Sequence, residues 1–417
     1  MKKYVILGNG VAAAACIEGI RTVDEKGEIT VVSAENRPVY SRPLISYLLE
    51  GKTDLPRMQY RPADFYERNG VRVLYGKFAQ GIDPATHTVR LDDRTVLLYD
   101  RLCVATGSRS FVPPFEGLDR VRRKYTFMSL DDALALDSEI KKDSRVLIVG
   151  AGLIGLKCAE GIRDRVGSIT VCDLADRVLS SILDADCAAM VQRHLEENGL
   201  SFLLGDTVER FEDGTARMKS GREVPFDVLV LAVGVRANSE MVRDAGGRVN
   251  RGIVIGEKTE TSLADVYAAG DCAEGFDASL GAGRVLAILP NAYMQGYTAG
   301  VNMAGGDTGY TSGIAMNSIG FFGLHMMTAG VYEGEMLEER EENAIRRFFI
   351  RDGFLKGFIL IGGTDRAGIY TSLIRDRIPL SELDFDRAKK VASNLIFSQQ
   401  MRRKKFGGVV KYADSGK

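Results

Sequence analysis

The sequence predicts an α/β protein in which two similar strand–turn–helix units are followed by a smaller α+β region. Two glycine-rich turns carry this prediction, because each lies between an apolar strand pattern and a helix pattern of small and apolar residues. From about residue 310 onward, strand-like runs alternate with a short helix pattern, which indicates the α+β region. A chain of 417 residues has room for two or three domains that each bury a core.

The first glycine turn lies near the N-terminus, directly after an apolar strand. Gly8 permits a tight turn, Gly10 lets a pyrophosphate approach the backbone, and Ala13 lets the following helix pack closely on the strand. The next strand leads to Glu35, at about the usual distance downstream for an acid that binds ribose hydroxyls. The remaining turn residues are expected to contact the same nucleotide: Asn9, Val11 and Ala12. This unit is therefore predicted to be a Rossmann-like dinucleotide-binding fold.

The second glycine turn repeats the whole arrangement. Gly150, Gly152 and Gly155 lie between a strand and a helix, and the following strand ends at Asp173. Leu153 and Ile154 belong to the same turn and helix start. Two such units argue for two bound nucleotides, or for a duplicated fold that kept only one site. We expect two nucleotides.

The composition points to an ordinary globular protein, with 45% hydrophobic and 27% charged residues. Lys and Arg total 55 against 56 Asp and Glu, so global charge gives no case for a nucleic acid or an anionic membrane. No apolar run reaches the roughly 20 residues that cross a bilayer. The N-terminal apolar stretch is cut by the first glycine turn, which disfavours a signal peptide. A cytoplasmic protein is expected.

The cysteine and histidine positions predict no metal site. The six cysteines contain no CxxC pair, and the three histidines are widely scattered. Small buried cysteines in a reducing compartment are the expectation.

Two further segments follow strand patterns, and their order is informative. Ala105, Thr106 and Gly107 precede a proline-marked break that reads as a domain boundary, whereas Gly270 and Asp271 follow a later strand. The chain thus runs through a glycine turn, an ATG segment, a second glycine turn and a GD pair.

This order of motifs resembles the pyridine nucleotide–disulfide oxidoreductase superfamily over nearly the whole chain. The resemblance implies two Rossmann-like domains, with an NAD domain inserted into a split FAD domain, and a shortened C-terminal interface domain. The implied boundaries are residues 1–110 and 240–308 for FAD, 111–239 for NAD(H), and 309–417 for the interface domain.

The resemblance also implies roles for individual residues. The ATG segment would lie beside the flavin pyrophosphate, and Asp271 would bind the ribitol chain. Residues 231–238, which include Gly234, resemble the strand that closes the NAD domain. Pro290 lies in the first turn of a helix that would point at the flavin pyrimidine and stabilise negative charge there. Ala79 and Gly270 are further implied FAD contacts.

The segment from Ser41 to Ser46 narrows the choice within the superfamily. It lacks the cysteine that NADH oxidases and disulfide reductases carry, and it is similar to rubredoxin reductases, nitrite reductase flavin portions and ferredoxin reductases. Arg42 and Pro43 would contact the flavin, or simply form a helix-start turn. The implied function is electron transfer from NADH through FAD to a small iron–sulfur protein, by a monomer or homodimer. An electron-entry subunit of a larger redox complex is the alternative.

Two positions depart from the family, which often pairs a lysine with a glutamate beside the flavin. Tyr47 occupies the lysine position and Lys157 the glutamate position. We predict both as catalytic residues: Lys157 would stabilise reduced flavin, and Tyr47 would gate the nicotinamide pocket. The alternative is that Lys157 turns to solvent or pairs with a surface acid.

Two expectations concern NAD and the C-terminal tail. Asp173 would repel a 2′-phosphate, so NADH is preferred over NADPH, although Arg177 lies close by in sequence. The tail from Ala388 carries eight Lys or Arg and one Asp. It would be a solvated helix with a frayed end, or a docking patch for an acidic partner.

Overall fold

The computed structural model describes residues 1–212, 214–365, 367–390, 396–397 and 402–403. The chain forms two compact units. The first comprises Met1–Asp277, Gly281–Gly313 and Phe321–Leu324, and the second comprises Ala278–Leu280, Ile314–Gly320 and His325–Lys417. Most of the basic tail, and with it the proposed docking patch, lies outside the described residues.

The strands that precede Met316 are, in chain order, β1 (Lys3–Leu7), β2 (Glu28–Ser33), β3 (Val71–Tyr75), β4 (Ala79–Asp83), β5 (Thr88–Leu91), β6 (Val96–Leu98), β7 (Arg101–Val104), β8 (Ser108–Ser110), β9 (Lys124–Tyr125), β10 (Arg145–Val149), β11 (Ser168–Asp173), β12 (Ser201–Leu204), β13 (Val208–Glu212), β14 (Thr215–Met218), β15 (Glu223–Pro225), β16 (Val228–Leu231), β17 (Val235–Ala237), β18 (Ile253–Val254), β19 (Val266–Ala268), β20 (Ala273–Asp277) and β21 (Ala282–Val285).

The later strands are β22 (Met316–Phe321), β23 (Leu324–Gly330), β24 (Glu335–Glu341), β25 (Ala344–Arg351) and β26 (Phe354–Ile361). The α-helices are α1 (Val11–Arg21), α2 (Ile45–Leu49), α3 (Phe65–Arg68), α4 (Leu130–Glu139), α5 (Leu153–Ile162), α6 (Ala185–Glu197), α7 (Glu240–Asp244), α8 (Leu289–Ala304), α9 (Ala367–Arg375) and α10 (Phe385–Lys390).

The first unit contains a parallel sheet in the order β19-β7-β1-β2-β3. Its central strand β1 is buried from Tyr4 to Leu7, as expected for a parallel strand covered on both faces. Helices α1 and α8 pack so closely that a Cβ at Gly300 would overlap the carbonyl oxygen of Cys16. This contact holds α8 against the helix that leaves the first glycine turn.

A second parallel sheet in the same unit has the order β12-β11-β10-β16-β9. Each parallel sheet also packs against a three-stranded antiparallel sheet, β4-β5-β6 for the first and β13-β14-β15 for the second. The predicted α/β class with two Rossmann-like folds is confirmed. Residues 231–238 were expected to form the strand that closes this sheet, but β16 ends at Leu231. The chain then turns through Gly234, where φ is +125°, into β17, which pairs with β8 instead.

The second unit is built on a five-stranded sheet in the order β22-β23-β26-β25-β24. Strand β26 pairs antiparallel with both β23 and β25. Phe348 and Phe358 are fully buried and pack edge-on against Tyr370 of α9. This is the expected α+β region, because the alternating apolar positions of two strands face one helix. The predicted boundaries of the domains stay predictions.

The cysteines are all buried and free. Among the described residues, no helix is long and apolar enough to span a membrane. The same residues contain no cluster of three or more side chains that would suit a metal ion.

Candidate functional site

The first glycine turn passes directly over the ATG segment. Gly8 has φ of +106°, and a Cβ there would overlap the carbonyl oxygen of Ala105, so this close approach requires glycine. Helix α1 begins immediately after Gly10, where a Cβ would meet nothing within 4 Å. The turn is therefore tightly packed against the ATG segment and has free space in front of the N-terminus of α1. The unpaired N–H groups at that N-terminus favour an anion.

A cavity of about 530 Å³ lies in front of this turn. It brings together most of the predicted FAD contacts: Gly8, Asn9, Gly10, Val11, Ala12, Glu35, Arg42, Ala105, Thr106, Gly107, Gly270 and Asp271. A neighbouring cavity of about 690 Å³ is lined by Ala79 and shares Gly8, Thr106 and Asn238 with the first. Ala13 is fully buried behind the turn, whereas Pro43 and Pro290 are exposed and line neither cavity.

The ATG segment is tied to the residue that follows β17. The Thr106 hydroxyl donates to the carbonyl of Asn238 at 2.9 Å, and the Asn238 amide donates to the carbonyl of Thr106 at 2.9 Å. Asn238 also lines both cavities. Sequence reasoning placed Asn238 in a strand and missed this role, because its partner lies 132 positions away.

Glu35 lies in a network that includes two neighbours from the same loop. The Tyr40 hydroxyl donates to Glu35 Oε2 at 2.8 Å, and Arg42 forms an ion pair with Glu35 Oε1. Burial raises the pKa of Tyr40 to about 12, so its hydroxyl stays protonated. Tyr40 was not predicted, although it stands between two residues that were.

Asp271 lines the same cavity. Burial raises the pKa of its carboxyl, while Ser108 opposes this by donating to Oδ2 at 3.0 Å. The preceding Gly270 donates its N–H to the buried side chain of Gln295 in α8, at 2.8 Å. Helix α8 thereby fixes the position of the GD pair.

The second glycine turn has the same geometry but forms a separate group. Gly150 has φ of +118°, and a Cβ there would overlap the carbonyl oxygen of Ala232. A Cβ at Gly152 would meet nothing within 4 Å, and α5 starts at the next residue, Leu153. A Cβ at Gly155, the third residue of α5, would overlap the carbonyl oxygen of Gly150, so the helix lies close to its strand.

The carboxylate of Asp173 accepts hydrogen bonds from backbone groups at this second turn. Its Oδ2 accepts from the N–H of Ala151 at 2.7 Å, and Oδ1 accepts from Ala175 at 2.8 Å. Arg177 forms an ion pair with Asp176 at 2.7 Å and donates to the carbonyl of Leu183. The carboxylate is thus held at the turn by backbone groups.

Tyr47 and Lys157 meet where α2 packs on α5. The Lys157 ammonium lies 4.5 Å from the centre of the Tyr47 ring and forms an ion pair with Glu160. The Lys157 side chain is 14% exposed and that of Glu160 is 5% exposed. Lys157 therefore does not turn to solvent, and the acid that pairs with it is a buried one. Glu160 also accepts from the N–H of Phe322 at 2.6 Å.

The chain matches the model of a known protein family. The family model described as "Pyridine nucleotide-disulphide oxidoreductase" matches residues 2–296. The subunit epsilon of NADH-dependent phenylglyoxylate dehydrogenase from Aromatoleum evansii is 30% identical, with 96% of this chain and 97% of the relative covered. Nitrite reductase [NAD(P)H] from Bacillus subtilis is 29% identical over 91% of this chain, which spans about half (48%) of that relative's length.

Two solved structures share the fold. The chain matches a covalent putidaredoxin reductase–putidaredoxin complex with a TM-score of 0.86 and 23% identity, covering 97% of each chain. It matches NADH:rubredoxin oxidoreductase from Clostridium acetobutylicum with a TM-score of 0.75 and 22% identity, covering 90% of this chain and 95% of the other. At these identities the likeness concerns the fold.

Proposed function

We propose, since the chain belongs to the pyridine nucleotide-disulphide oxidoreductase family, that it passes electrons from NADH through FAD to a small iron–sulfur protein such as a rubredoxin or ferredoxin. One observation carries the proposal: the first glycine turn, Thr106 and Asp271 line a single cavity. The six buried, free cysteines support electron transfer without a redox-active disulfide.

The residues present fit FAD. The two neighbouring cavities share Gly8, Thr106 and Asn238, so together they suit an elongated ligand. The open space in front of Gly10 would receive the pyrophosphate, where the α1 N-terminus favours negative charge. Glu35 would accept from the adenosine ribose, and Asp271 from the ribitol chain.

When bound, FAD supplies the hydride and one-electron chemistry of the reaction. The chain itself would position the cofactor and supply the electrostatic field around it. Helix α8 begins at Leu289, which lines the cavity together with Ala292. Its N-terminus would stabilise negative charge in this part of the cavity.

We place hydride transfer near Tyr47 and Lys157. Helix α2 follows the FAD-site residue Arg42, and α5 begins at the second glycine turn, so their contact joins the two nucleotide sites. Lys157 would contribute positive charge that stabilises reduced flavin, and the Tyr47 ring would cover the nicotinamide pocket. The pairing of Lys157 with buried Glu160 supports a fixed ammonium.

NADH is proposed as the preferred donor over NADPH. Asp173, at the end of β11, would accept from ribose hydroxyls and would repel a 2′-phosphate. The nearby Arg177 is engaged by Asp176 and the carbonyl of Leu183. This arrangement leaves the carboxylate as the dominant charge at the turn.

A second candidate function is that of an electron-entry subunit in a larger complex. The Aromatoleum evansii relative is named as a subunit, and it matches this chain over nearly the whole length of both proteins. In that case the acceptor would be a permanent partner that co-purifies in equal amount.

An anaerobic NADH titration of the purified protein tests the function. We expect bound FAD, complete bleaching at one equivalent of NADH, and subsequent reduction of rubredoxin or ferredoxin from a panel of acceptors. Two consumed equivalents, or a thiolate–flavin charge-transfer band, would reveal a redox cysteine. Protein that neither contains nor takes up FAD would refute the proposal as a whole.

A further inference from the structure

The hydroxyl group of Tyr40 joins three groups around the cavity. It donates to Glu35 Oε2 at 2.8 Å, and it accepts from the backbone N–H of Leu130 at 2.9 Å and from Arg42 Nη1 at 3.1 Å. A phenol has one proton and two acceptor positions, so its hydrogen-bonding capacity is fully used. Because both acceptor positions are occupied by N–H donors, the proton is directed to Glu35.

The Leu130 donor belongs to the start of α4. Ser129 caps this helix by accepting from the N–H of Asp132, and Asp132 accepts in return from Ser129. The N–H of Leu130, the first helical residue, has no partner within the helix. Tyr40 accepts from this N–H, and the helix start thereby orients the phenol.

Arg42 holds the other oxygen of Glu35. Its Nη2 forms an ion pair with Oε1, while its Nη1 also donates to the carbonyl of Met128 at 3.3 Å. Each carboxylate oxygen accepts two hydrogen bonds. One position therefore remains on Oε1 and one on Oε2, which matches a pair of adjacent hydroxyl groups.

We propose that Tyr40 is a positioning residue that orients Glu35 toward the two vicinal hydroxyls of the adenosine ribose of FAD. This inference rests on the proposed function and adds a residue that acts through Glu35. It also links FAD binding to α4, since the segment that begins at Met128 supplies the backbone groups that fix Tyr40 and Arg42.

The test is a titration of the apoprotein with FAD, followed by flavin fluorescence. Tyr40→Phe keeps the ring and removes the hydroxyl, and it should raise the Kd for FAD about tenfold, as for a hydrogen bond to a charged group. Tyr4→Phe is the matched control, because Tyr4 is also buried and donates to a carboxylate, Asp24, but lines neither cavity. This control should leave the Kd unchanged.

A double-mutant cycle separates positioning from a direct effect. In a Glu35→Ala background, which removes the acceptor of the Tyr40 hydroxyl, Tyr40→Phe should change the Kd for FAD less than twofold. An equal loss in both backgrounds, or an unchanged Kd in Tyr40→Phe alone, would overturn the inference. If the wild-type chain fails to bind FAD, the proposed function itself is refuted.

A second pair of variants keeps the inference testable if Tyr40→Phe does not fold. Leu130→Pro removes the N–H that Tyr40 accepts, at a helix position that tolerates proline, whereas Leu130→Ala keeps it. Ser129 has φ of −110° and ψ of 166°, which suits a residue before proline. Leu130→Pro should weaken FAD binding more than Leu130→Ala; equal Kd values would contradict the inference.

Discussion

Thr106 and Asn238 exchange two hydrogen bonds, each 2.9 Å long, between the ATG segment and the residue after β17. Both residues line the two neighbouring cavities. The pair thus fixes the wall of the candidate FAD site across two distant parts of the chain.

Asn238→Ala should lower the free energy of unfolding by about 1–2 kcal/mol, because it leaves the carbonyl of Thr106 without its donor and removes the Oδ1 acceptor of Arg109. Urea denaturation of the apoprotein measures this change. Thr106→Val removes only the reciprocal donor and is the matched variant. If the two residues act as a pair, the double variant will lose less than the sum of the single losses.

Gly8→Ala should lower the stability of the apoprotein, whereas Gly10→Ala should weaken FAD binding. At Gly8 a Cβ overlaps the carbonyl of Ala105 and φ is +106°, so the apoprotein should lose about 1–3 kcal/mol of stability. At Gly10 a Cβ meets nothing within 4 Å, so the apoprotein should fold normally. It should bind FAD poorly, since the methyl group would occupy the proposed place of the pyrophosphate. Equal melting temperatures and equal Kd values for FAD in the two variants would contradict the assignment of this site.

Lys157→Met should lower the flavin midpoint potential and slow reduction by NADH while FAD stays bound, because a fixed positive charge is removed. Lys52→Met is the control: its ammonium also lies near the Tyr47 ring, at 6.0 Å, but its side chain is 59% exposed. Redox titration and stopped-flow reduction measure both effects. An unchanged potential together with an unchanged rate in Lys157→Met would exclude the proposed role.

Asp173→Asn should lower the ratio of kcat/KM for NADH to kcat/KM for NADPH, because it removes the charge that repels a 2′-phosphate. We expect the wild-type kcat/KM to favour NADH at least about tenfold, which corresponds to about 1.4 kcal/mol. Initial rates with both donors provide the measurement. Equal kcat/KM values for NADH and NADPH in the wild type would refute the assignment.

Low pH should destabilise the second parallel sheet, because Asp227 becomes protonated. Arg145 donates to this carboxylate from its side chain and backbone and lowers the pKa of Asp227 to about 2. The folded pKa lies below the unfolded one, so the stabilisation is present above about pH 4 and is lost as the pH falls toward 2. Asp227→Asn should cost less than about 1 kcal/mol at pH 7, since the pair is partly exposed, and almost nothing near pH 2. A cost independent of pH in denaturation curves would argue against this pair.

The sequence by itself determined the two glycine turns, the ATG segment and the GD pair, because their backbone restricts which residues fit. Gly8 and Gly150 have positive φ and lie against a carbonyl oxygen, so only glycine satisfies these positions. Such constraints are local and remain visible in a single sequence. The confirmed fold class and family follow from the order of these motifs.

Only the tertiary structure decided which side chains support the site. Tyr40 meets Leu130 across 90 positions, and Glu160 meets Phe322 across 162. No local propensity distinguishes these residues from any other buried tyrosine or glutamate. Residues 231–238 show the same limit: they resemble the strand that closes the NAD domain, but the chain turns at Gly234 and β17 pairs with β8. Such pairing depends on a partner that is distant in sequence.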